Sequence, residues 1–175
     1  MFSEKRERYC CNEMPYFRDV TADDLEIMND LVNDPDISRY LNLIPPVPMS
    51  KTIDFWHFAV SRGAMWWAIL IGNDVIGSVG VVPEDSDGKM SHVGVMFVYL
   101  LKDYRGLGYG GVAIDHALFM SDVSGLKRIE CLVAEENSRA VALYLEKGFL
   151  IEGVKKDAFY DGKKYSDVIM MAKIL

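Results

Sequence analysis

Residues 105–111 read Arg-Gly-Leu-Gly-Tyr-Gly-Gly, after an apolar run at 94–101 and before a helical pattern that continues to about Met120. The first N–H groups of a helix have no partner within the helix, and the aligned peptide dipoles favour negative charge there. Glycine has no Cβ to keep a phosphate from the backbone, and Arg105 adds a charged donor beside these amides. The stretch therefore predicts a cradle for a pyrophosphate.

Composition limits the class of protein. The 175 residues suggest one domain, residues 1–175, and the half of them that are hydrophobic suffice for one core. The formal net charge of −7 argues against nucleic acid as a partner, because a basic face would be expected. The three cysteines have no disulfide or zinc spacing, and we expect no metal.

The N-terminus predicts neither a signal peptide nor a membrane anchor. Met-Phe-Ser-Glu-Lys-Arg-Glu-Arg is followed by no apolar segment, and no apolar run is long enough to span a bilayer. We therefore expect a cytoplasmic protein without a membrane partner, whose residues 1–14 form a mobile tail.

The hydrophobic periodicity predicts a mixed α/β (α+β) chain, with helices on both faces of a mixed sheet. The expected strands are 16–20, 65–71, 75–82, 90–101, 127–134, 149–159 and 164–174, and the expected helices are 21–32, 36–42, 51–62, 108–122 and 137–147. The helix at 51–62, with Ser50 as its cap, is so apolar that we expect core packing, with an acceptor-pocket wall as the alternative.

The glycines also fit a second motif. Gly106-x-Gly108-x-x-Gly111 matches the dinucleotide fingerprint, so an NAD-binding oxidoreductase is an alternative. That fingerprint normally follows its strand at once, in the first βαβ unit of a domain. Here a polar turn at 102–105 intervenes and about 100 residues precede the motif, which argues against this alternative.

Arg105-x-x-Gly108-x-Gly110 matches a further signature, Arg/Gln-x-x-Gly-x-Gly/Ala, and on it the chain resembles the GNAT superfamily of N-acetyltransferases from Tyr16 to Leu175. Further matching segments, in the right order, are 76–80, 136–144, 147–149, 159–163 and 167–168. The ending is most similar to the branch that holds ribosomal-protein N-terminal acetyltransferases and spermidine acetyltransferases.

The resemblance implies the GNAT fold, a twisted sheet of six to seven strands with the acyl-CoA cradle between strand 4 and helix 3 of that fold. It implies transfer of an acetyl group from acetyl-CoA to a primary amine by direct attack in a ternary complex. A protein N-terminal amine or a polyamine is the expected acceptor, with a small amine as a third option. A CoA-binding regulatory module without turnover is an alternative, and a homodimer is one option for assembly.

The resemblance also implies the cofactor contacts. The backbone of Val98, Tyr99 and Leu100 would pair with the pantetheine amides, and the Leu100 N–H would donate to the thioester oxygen. The pyrophosphate would lie on the amides of Gly106, Leu107, Gly108, Tyr109, Gly110 and Gly111, with Arg105 beside it. Asn137 would cap its helix and contact the cofactor.

Tyr144 is the expected general acid. It follows Asn137 by seven residues and therefore shares its helix face, and a phenol with a pKa of about 10 suits a thiolate leaving group. The general base stays open. The glutamate of the best-known members corresponds to Gly94 here, and the alternatives are His92, Glu135, Glu84, Asp85 or a relay of waters.

The resemblance implies that the acceptor enters opposite the cofactor, between residues 33–49 and the hairpin at 159–163. Asp34, Asp36 and Tyr40 suit an ammonium group through charge and cation–π contact. The remaining candidates for chemistry are expected to be structural: His57, His116 and Cys131.

Overall fold

The structure of the protein is a computed structural model that describes residues 13–175, so residues 1–12 of the expected tail lie outside the described residues. The strands are β1 Tyr16–Asp19, β2 Met65–Ile71, β3 Asp74–Pro83, β4 Val93–Leu100, β5 Arg128–Ala134, β6 Leu150–Tyr160 and β7 Tyr165–Ile174. The helices are α1 Leu25–Asn33, α2 Pro35–Ser38, α3 Met49–Ser61, α4 Tyr109–Val123 and α5 Ser138–Glu146. Most expected bounds hold within one to three residues.

The seven strands form one sheet in the order β1-β2-β3-β4-β5-β7-β6, which confirms the mixed α/β class. Each neighbouring pair is antiparallel except β4 and β5, which are parallel. These two strands pair only over residues 93–95 and 128–130. Beyond that point they separate, and the separation opens the sheet at the end where α4 begins.

Two buried clusters lie on opposite faces of the sheet, as the sequence predicts. One packs α4 and α5 against the strands through Ile114, Ala117 and Phe149, and the other packs α1 and α2 through Met28 and Ile37. Consecutive side chains of a strand point to opposite faces. Trp66 and Trp67 accordingly join different clusters, and both are buried.

The expectation that the third helix is apolar because it fills the core is wrong for most of its length. Phe58 and Val60 of α3 are 48% and 56% exposed, whereas the residues that it buries are Thr52 and Ala59. A helix on the outside of a sheet buries only the stripe of side chains that faces the core, and its other side chains stay exposed. The Phe55 ring does reach inward, because it packs edge-on against Trp66 at 5.2 Å between centroids.

Three expected boundaries also differ from the structure. The N-cap of α3 is Pro48 rather than Ser50, because the fixed φ of proline suits the residue that leads into a helix. The helix expected at 36–42 ends at Ser38, and the strand expected from residue 90 begins at Val93 after a series of turns.

His116 of α4 couples stability to pH. Its ring stacks on Phe17 at 4.1 Å and meets Trp67 edge-on at 4.7 Å, and its buried Nε2 has no hydrogen-bond partner within residues 13–175. Burial lowers the pKa of His116, with Asp19 opposing this shift. The structural reading of His116 therefore fits its ring contacts.

We expect the free energy of unfolding to fall as the pH drops below about 6.5, the ordinary pKa of histidine. Under those conditions the unfolded chain binds a proton that the folded chain resists. His116→Phe keeps a ring against Phe17 but has no group that binds a proton. It should therefore remove the part of the pH dependence of the free energy of unfolding that His116 causes. Urea unfolding between pH 5 and pH 8 measures it, and an identical pH dependence in both proteins would contradict the prediction.

Candidate active site

The backbone of β4 presents hydrogen-bonding groups to the gap beside β5. Toward β3, Leu101 N donates to Ile76 O at 2.9 Å, and Glu84 N donates to Val93 O at 2.9 Å. Backbone groups of a strand alternate in direction, so Met96, Val98 and Leu100 direct theirs into the gap. Val98 and Leu100 thus lie as expected for a strand-like ligand, whereas the Tyr99 backbone faces β3.

The glycine corner forms an open helix N-terminus. The N-cap of α4 is Gly108, with φ of 87°, and no side chain caps the helix. Its first backbone bond runs from Val112 N to Gly108 O at 3.2 Å, so the N–H groups of residues 108–111 have no partner within the helix. Gly106 also has a positive φ, 80°, a conformation that glycine adopts without strain.

Two of the glycines also serve helix packing. A Cβ on Gly110 would lie 3.2 Å from Leu143 Cδ2, and a Cβ on Gly111 would lie 3.1 Å from Lys147 Cε. Both positions therefore let α5 approach α4 closely.

Leu107 is 58% exposed and Tyr109 packs against the core. Neither side chain lines the cleft, so these two could contribute only backbone groups.

Arginines supply positive charge around the corner. Arg105 donates from Nε to Leu100 O at 2.8 Å and from Nη2 to Asp36 O at 3.0 Å, so it also ties the end of β4 to α2. A Cβ on Gly106 would lie 3.6 Å from Nη2 of Arg139. Sequence reasoning missed Arg139 as a site residue, although its place two residues after the Asn137 cap was the available signal.

These features line one cleft of about 860 Å³, a volume within the range of ligand sites. The cleft brings together most of the expected site residues: Val98, Tyr99, Leu100, Arg105, Gly106, Gly108, Gly110, Gly111, Asn137 and Tyr144. Further residues complete its walls: Asp36, Ile37, Tyr40, Leu41 and residues 132–134. Asn137 is the N-cap of α5, and its Oδ1 accepts from Ala140 N at 3.2 Å.

Tyr144 is buried in the wall of this cleft, with 4% of its surface exposed. Its ring meets Phe149 edge-on at 5.0 Å, and the thiol of Cys131 is a neighbour of its hydroxyl. Burial, followed by the neighbouring Cys131, raises the pKa of Tyr144 well above 10. The phenol therefore stays protonated at neutral pH. Its pKa does not match that of a thiolate leaving group, contrary to the expectation from the sequence.

Cys131 has a structural place, as expected from the sequence. It belongs to β5 and is 2% exposed. Burial raises the pKa of its thiol to about 12, and the hydrogen bond with Tyr144 opposes this shift. A thiol that stays protonated is a poor nucleophile.

The side chain of Tyr99 forms part of an aromatic wall that the sequence did not indicate. Burial raises the pKa of its hydroxyl to about 12, and Ser78 opposes this shift. The buried Ser78 Oγ accepts from Trp66 Nε1 at 2.7 Å and donates to Trp67 O at 2.9 Å. The Phe97 ring stacks on Tyr99 at 6.0 Å. This network fixes the Tyr99 ring at the face of the cleft next to α2.

None of the expected bases lines the cleft. His92, Glu84, Asp85 and Glu135 all lie outside it. His92 precedes β4, at the end of that strand far from the cradle, and its carbonyl accepts from Lys127 N at 2.8 Å. Gly94 leaves no room for a carboxylate, because a Cβ there would lie 2.5 Å from Val81 Cγ1. The relay of waters is the remaining alternative.

Residues 13–175 contain neither a group of metal ligands nor a membrane-spanning helix. There, no three or more His, Cys, Asp and Glu side chains are grouped so that they could hold a metal ion. No helix in the same part of the chain is long and apolar enough to cross a membrane.

A parallel strand pair that separates beside a glycine-rich helix N-terminus defines the acyl-CoA-dependent acetyltransferase fold. The family model described as Acetyltransferase (GNAT) family matches residues 27–149, and the chain belongs to this family. The chain is 23% identical over 162 residues to an uncharacterized N-acetyltransferase, p20, of Bacillus licheniformis, and the match covers 89% of each protein.

Solved structures share the fold. A ribosomal-protein-alanine N-acetyltransferase from Brucella melitensis is 19% identical with a TM-score of 0.81, covering 91% of this chain and 99% of that one. Spermidine N-acetyltransferase from Vibrio cholerae, solved with CoA and spermine, is 23% identical with a TM-score of 0.81, covering 93% of this chain and 96% of that one. Both belong to the branch that the sequence resembles.

Proposed function

We propose that the protein transfers an acetyl group from acetyl-CoA to a primary amine by direct attack in a ternary complex. One observation carries the proposal: β4 turns the backbone of Met96, Val98 and Leu100 into a gap that leads to the open N-terminus of α4. The pantetheine arm of coenzyme A, an extended chain with two amides, suits the backbone groups of β4. The pyrophosphate to which the arm is attached suits the N-terminus of α4. Family membership supports a transferase over the oxidoreductase alternative.

The chain's own groups would hold such a donor as follows. Backbone groups of Val98 and Leu100 would bind the amides of the arm, and the N–H groups of residues 108–111 would bind the pyrophosphate, with Arg105 and Arg139 adding charge. Acetyl-CoA supplies an acetyl thioester. A preorganised donor such as Leu100 N–H, aimed at the oxygen where charge develops, contributes roughly 3 kcal/mol.

Tyr144 would act at the sulfur. Because its phenol stays protonated, it would first donate a hydrogen bond and release its proton only as negative charge forms on the departing thiolate. No carboxylate among the expected bases reaches the cleft, so waters leading to bulk solvent would take the proton from the ammonium.

A protein N-terminal amine and a polyamine are the first acceptors to test, and a binding module without turnover is the alternative to exclude. We expect acetyl-CoA, but not NADH, to raise the melting temperature, because a ligand that binds the folded state stabilises it. We expect acetyl-CoA with an acceptor amine to release free thiol. Stabilisation by NADH alone would contradict the choice of donor, and binding without thiol release from any amine would favour the module.

Three further expectations belong to this proposal: a single domain over residues 1–175, a cytoplasmic location and a homodimer. Limited proteolysis, cell fractionation and light scattering test them in turn. The length and composition support the first of them.

A further inference from the structure

Positive charge gathers around the cleft of a chain whose net charge is −7. Arg18 and Arg128 lie away from the cleft and pair with carboxylates, Arg18 with Asp24 at 2.6 Å and Arg128 with Glu130 at 2.6 Å. Four other arginines have no carboxylate ion-pair partner among residues 13–175: Arg39, Arg62, Arg105 and Arg139. Arg105 and Arg139 line the cleft, whereas Arg62 follows α3 and donates to the backbone oxygen of Glu84.

Arg39 is the arginine near the cleft that has no expected role in binding acetyl-CoA. It directly follows α2, is exposed, and its guanidinium lies 4.8 Å from the centre of the Tyr40 ring. Tyr40 lines the cleft beside Ile37 and Leu41. This wall belongs to the side where the acceptor is expected, so Arg39 stands at the acceptor's entrance.

Lys164 lies on the other side of that entrance. β7 pairs with β5 from Val168 opposite Ala134, so the hairpin before β7 extends past the end of β5 where the cleft opens. Lys164 pairs with Glu136, just before the Asn137 cap. The hydrogen bond with Glu136 raises the pKa of Lys164, and the like charge of Arg39 opposes this shift.

The acidic groups nearby are already engaged. Asp36 lines the cleft but pairs with Lys102 at 3.3 Å. Asp34 caps α2 by accepting from Asp36 N at 2.8 Å, and Asp161 accepts from Lys163 N and Lys164 N within the hairpin. Among residues 13–175, Arg39 therefore has no ion pair, while Asp34, Asp36 and Asp161 are engaged. The other carboxylate in the lining, Glu146, is the last residue of α5.

We propose that the acceptor carries an anionic group, a carboxylate or a similar oxyanion, close to its reactive amine, and that Arg39 binds this group with Lys164 beside it. The proposal rests on the proposed function and narrows its acceptor. A guanidinium binds a carboxylate with two parallel hydrogen bonds, whereas the additional ammonium groups of a polyamine would meet like charge. Free amino acids and peptides with an acidic residue near the N-terminus both have this chemistry.

Matched acceptors test it with the full-length protein at saturating acetyl-CoA. We expect kcat/KM from thiol release to be at least about 10-fold higher for alanine than for alaninamide, which lacks the carboxylate, or for the peptide Ser-Glu-Ala-amide than for Ser-Gln-Ala-amide, since a hydrogen bond to a charged group contributes about 1.5–3 kcal/mol. Whichever pair responds identifies the source. Spermidine as the best acceptor, or equal rates within both pairs, would overturn the inference alone.

A second experiment reverses the charge of Arg39 and measures the same preference between paired acceptors. Arg39→Glu should lower the preference for the anionic member by at least about 10-fold without raising KM for acetyl-CoA, and Arg39→Lys should retain part of it. Arg62→Glu is the matched control, because Arg62 also lies over a ring, that of Phe58 at 5.2 Å, but donates to Glu84 O rather than standing beside the cleft residue Tyr40.

Two results would contradict this assignment. If Arg39→Glu acts only on KM for acetyl-CoA, and the effect vanishes with a donor that lacks the 3′-phosphate, Arg39 serves the cofactor instead. Absence of thiol release with every amine would overturn the proposed function and this inference with it.

Discussion

Tyr144→Phe is expected to lower kcat by at least about 100-fold while the affinity for acetyl-CoA stays nearly unchanged, since a positioned acid contributes about 10²–10⁴ in rate. Phenylalanine keeps the ring that packs on Phe149 at 5.0 Å. The substitution removes only the hydroxyl, and Cys131 loses one weak hydrogen bond. The large effect should therefore appear in the chemical step, which single-turnover measurement of thiol release isolates.

Tyr16→Phe is the matched control, because the Tyr16 hydroxyl donates to Gly72 O at 2.9 Å on the first strand, away from the cleft. It should turn over like the unmodified protein. Since burial holds the pKa of Tyr144 well above 10, we also expect no loss of activity from phenol ionisation up to about pH 10. Full turnover by Tyr144→Phe, with the same pH profile, would remove Tyr144 from the mechanism.

Gly106→Asp is expected to weaken acetyl-CoA binding by at least about 100-fold. A Cβ at residue 106 lies 3.6 Å from Nη2 of Arg139, so the new carboxylate would neutralise that cation and repel the pyrophosphate. Two unit charges 4 Å apart near a protein surface interact by about 4 kcal/mol, and about 1.4 kcal/mol corresponds to tenfold. Titration calorimetry with acetyl-CoA measures the change.

Gly106→Asn separates charge from backbone strain. The φ of 80° at Gly106 strains either substituent, and asparagine and aspartate tolerate that region similarly. We expect Gly106→Asn to lose the same stability, about 1–2 kcal/mol, but to keep most of the affinity. Equal affinities for the two variants would show that the corner does not bind the pyrophosphate.

Local patterns were enough to predict the backbone conformation of the glycine corner and the cap of α5. Gly106 and Gly108 take the positive φ that their spacing suggests, and Asn137 caps its helix. The alternation of β2 separated Trp66 from Trp67 correctly. Each of these features depends on neighbours within a few residues, so the sequence carries it directly.

Features that depend on distant neighbours were not predicted. Arg139 reaches Gly106 across the cleft, and Ser78 holds Trp66 and the Tyr99 hydroxyl in one network, which only strand pairing creates. The exposure of Phe58 and Val60 also reflects where α3 is placed rather than its composition. His92 alternates in register with the cleft residues Val98 and Leu100, but it precedes β4, whereas the glycine corner follows the other end of that strand.

The short contact between β4 and β5 has a consequence for the sheet as a whole. Strands β1–β4 and strands β5–β7 form two halves that are joined within the sheet by only three residue pairs. A ligand extended along β4 would extend that seam as an added strand would. Binding of that ligand would raise the free energy of unfolding by RT ln(1 + [L]/Kd). The concentration of donor in the cell would then also set how firmly the two halves of the protein are held together.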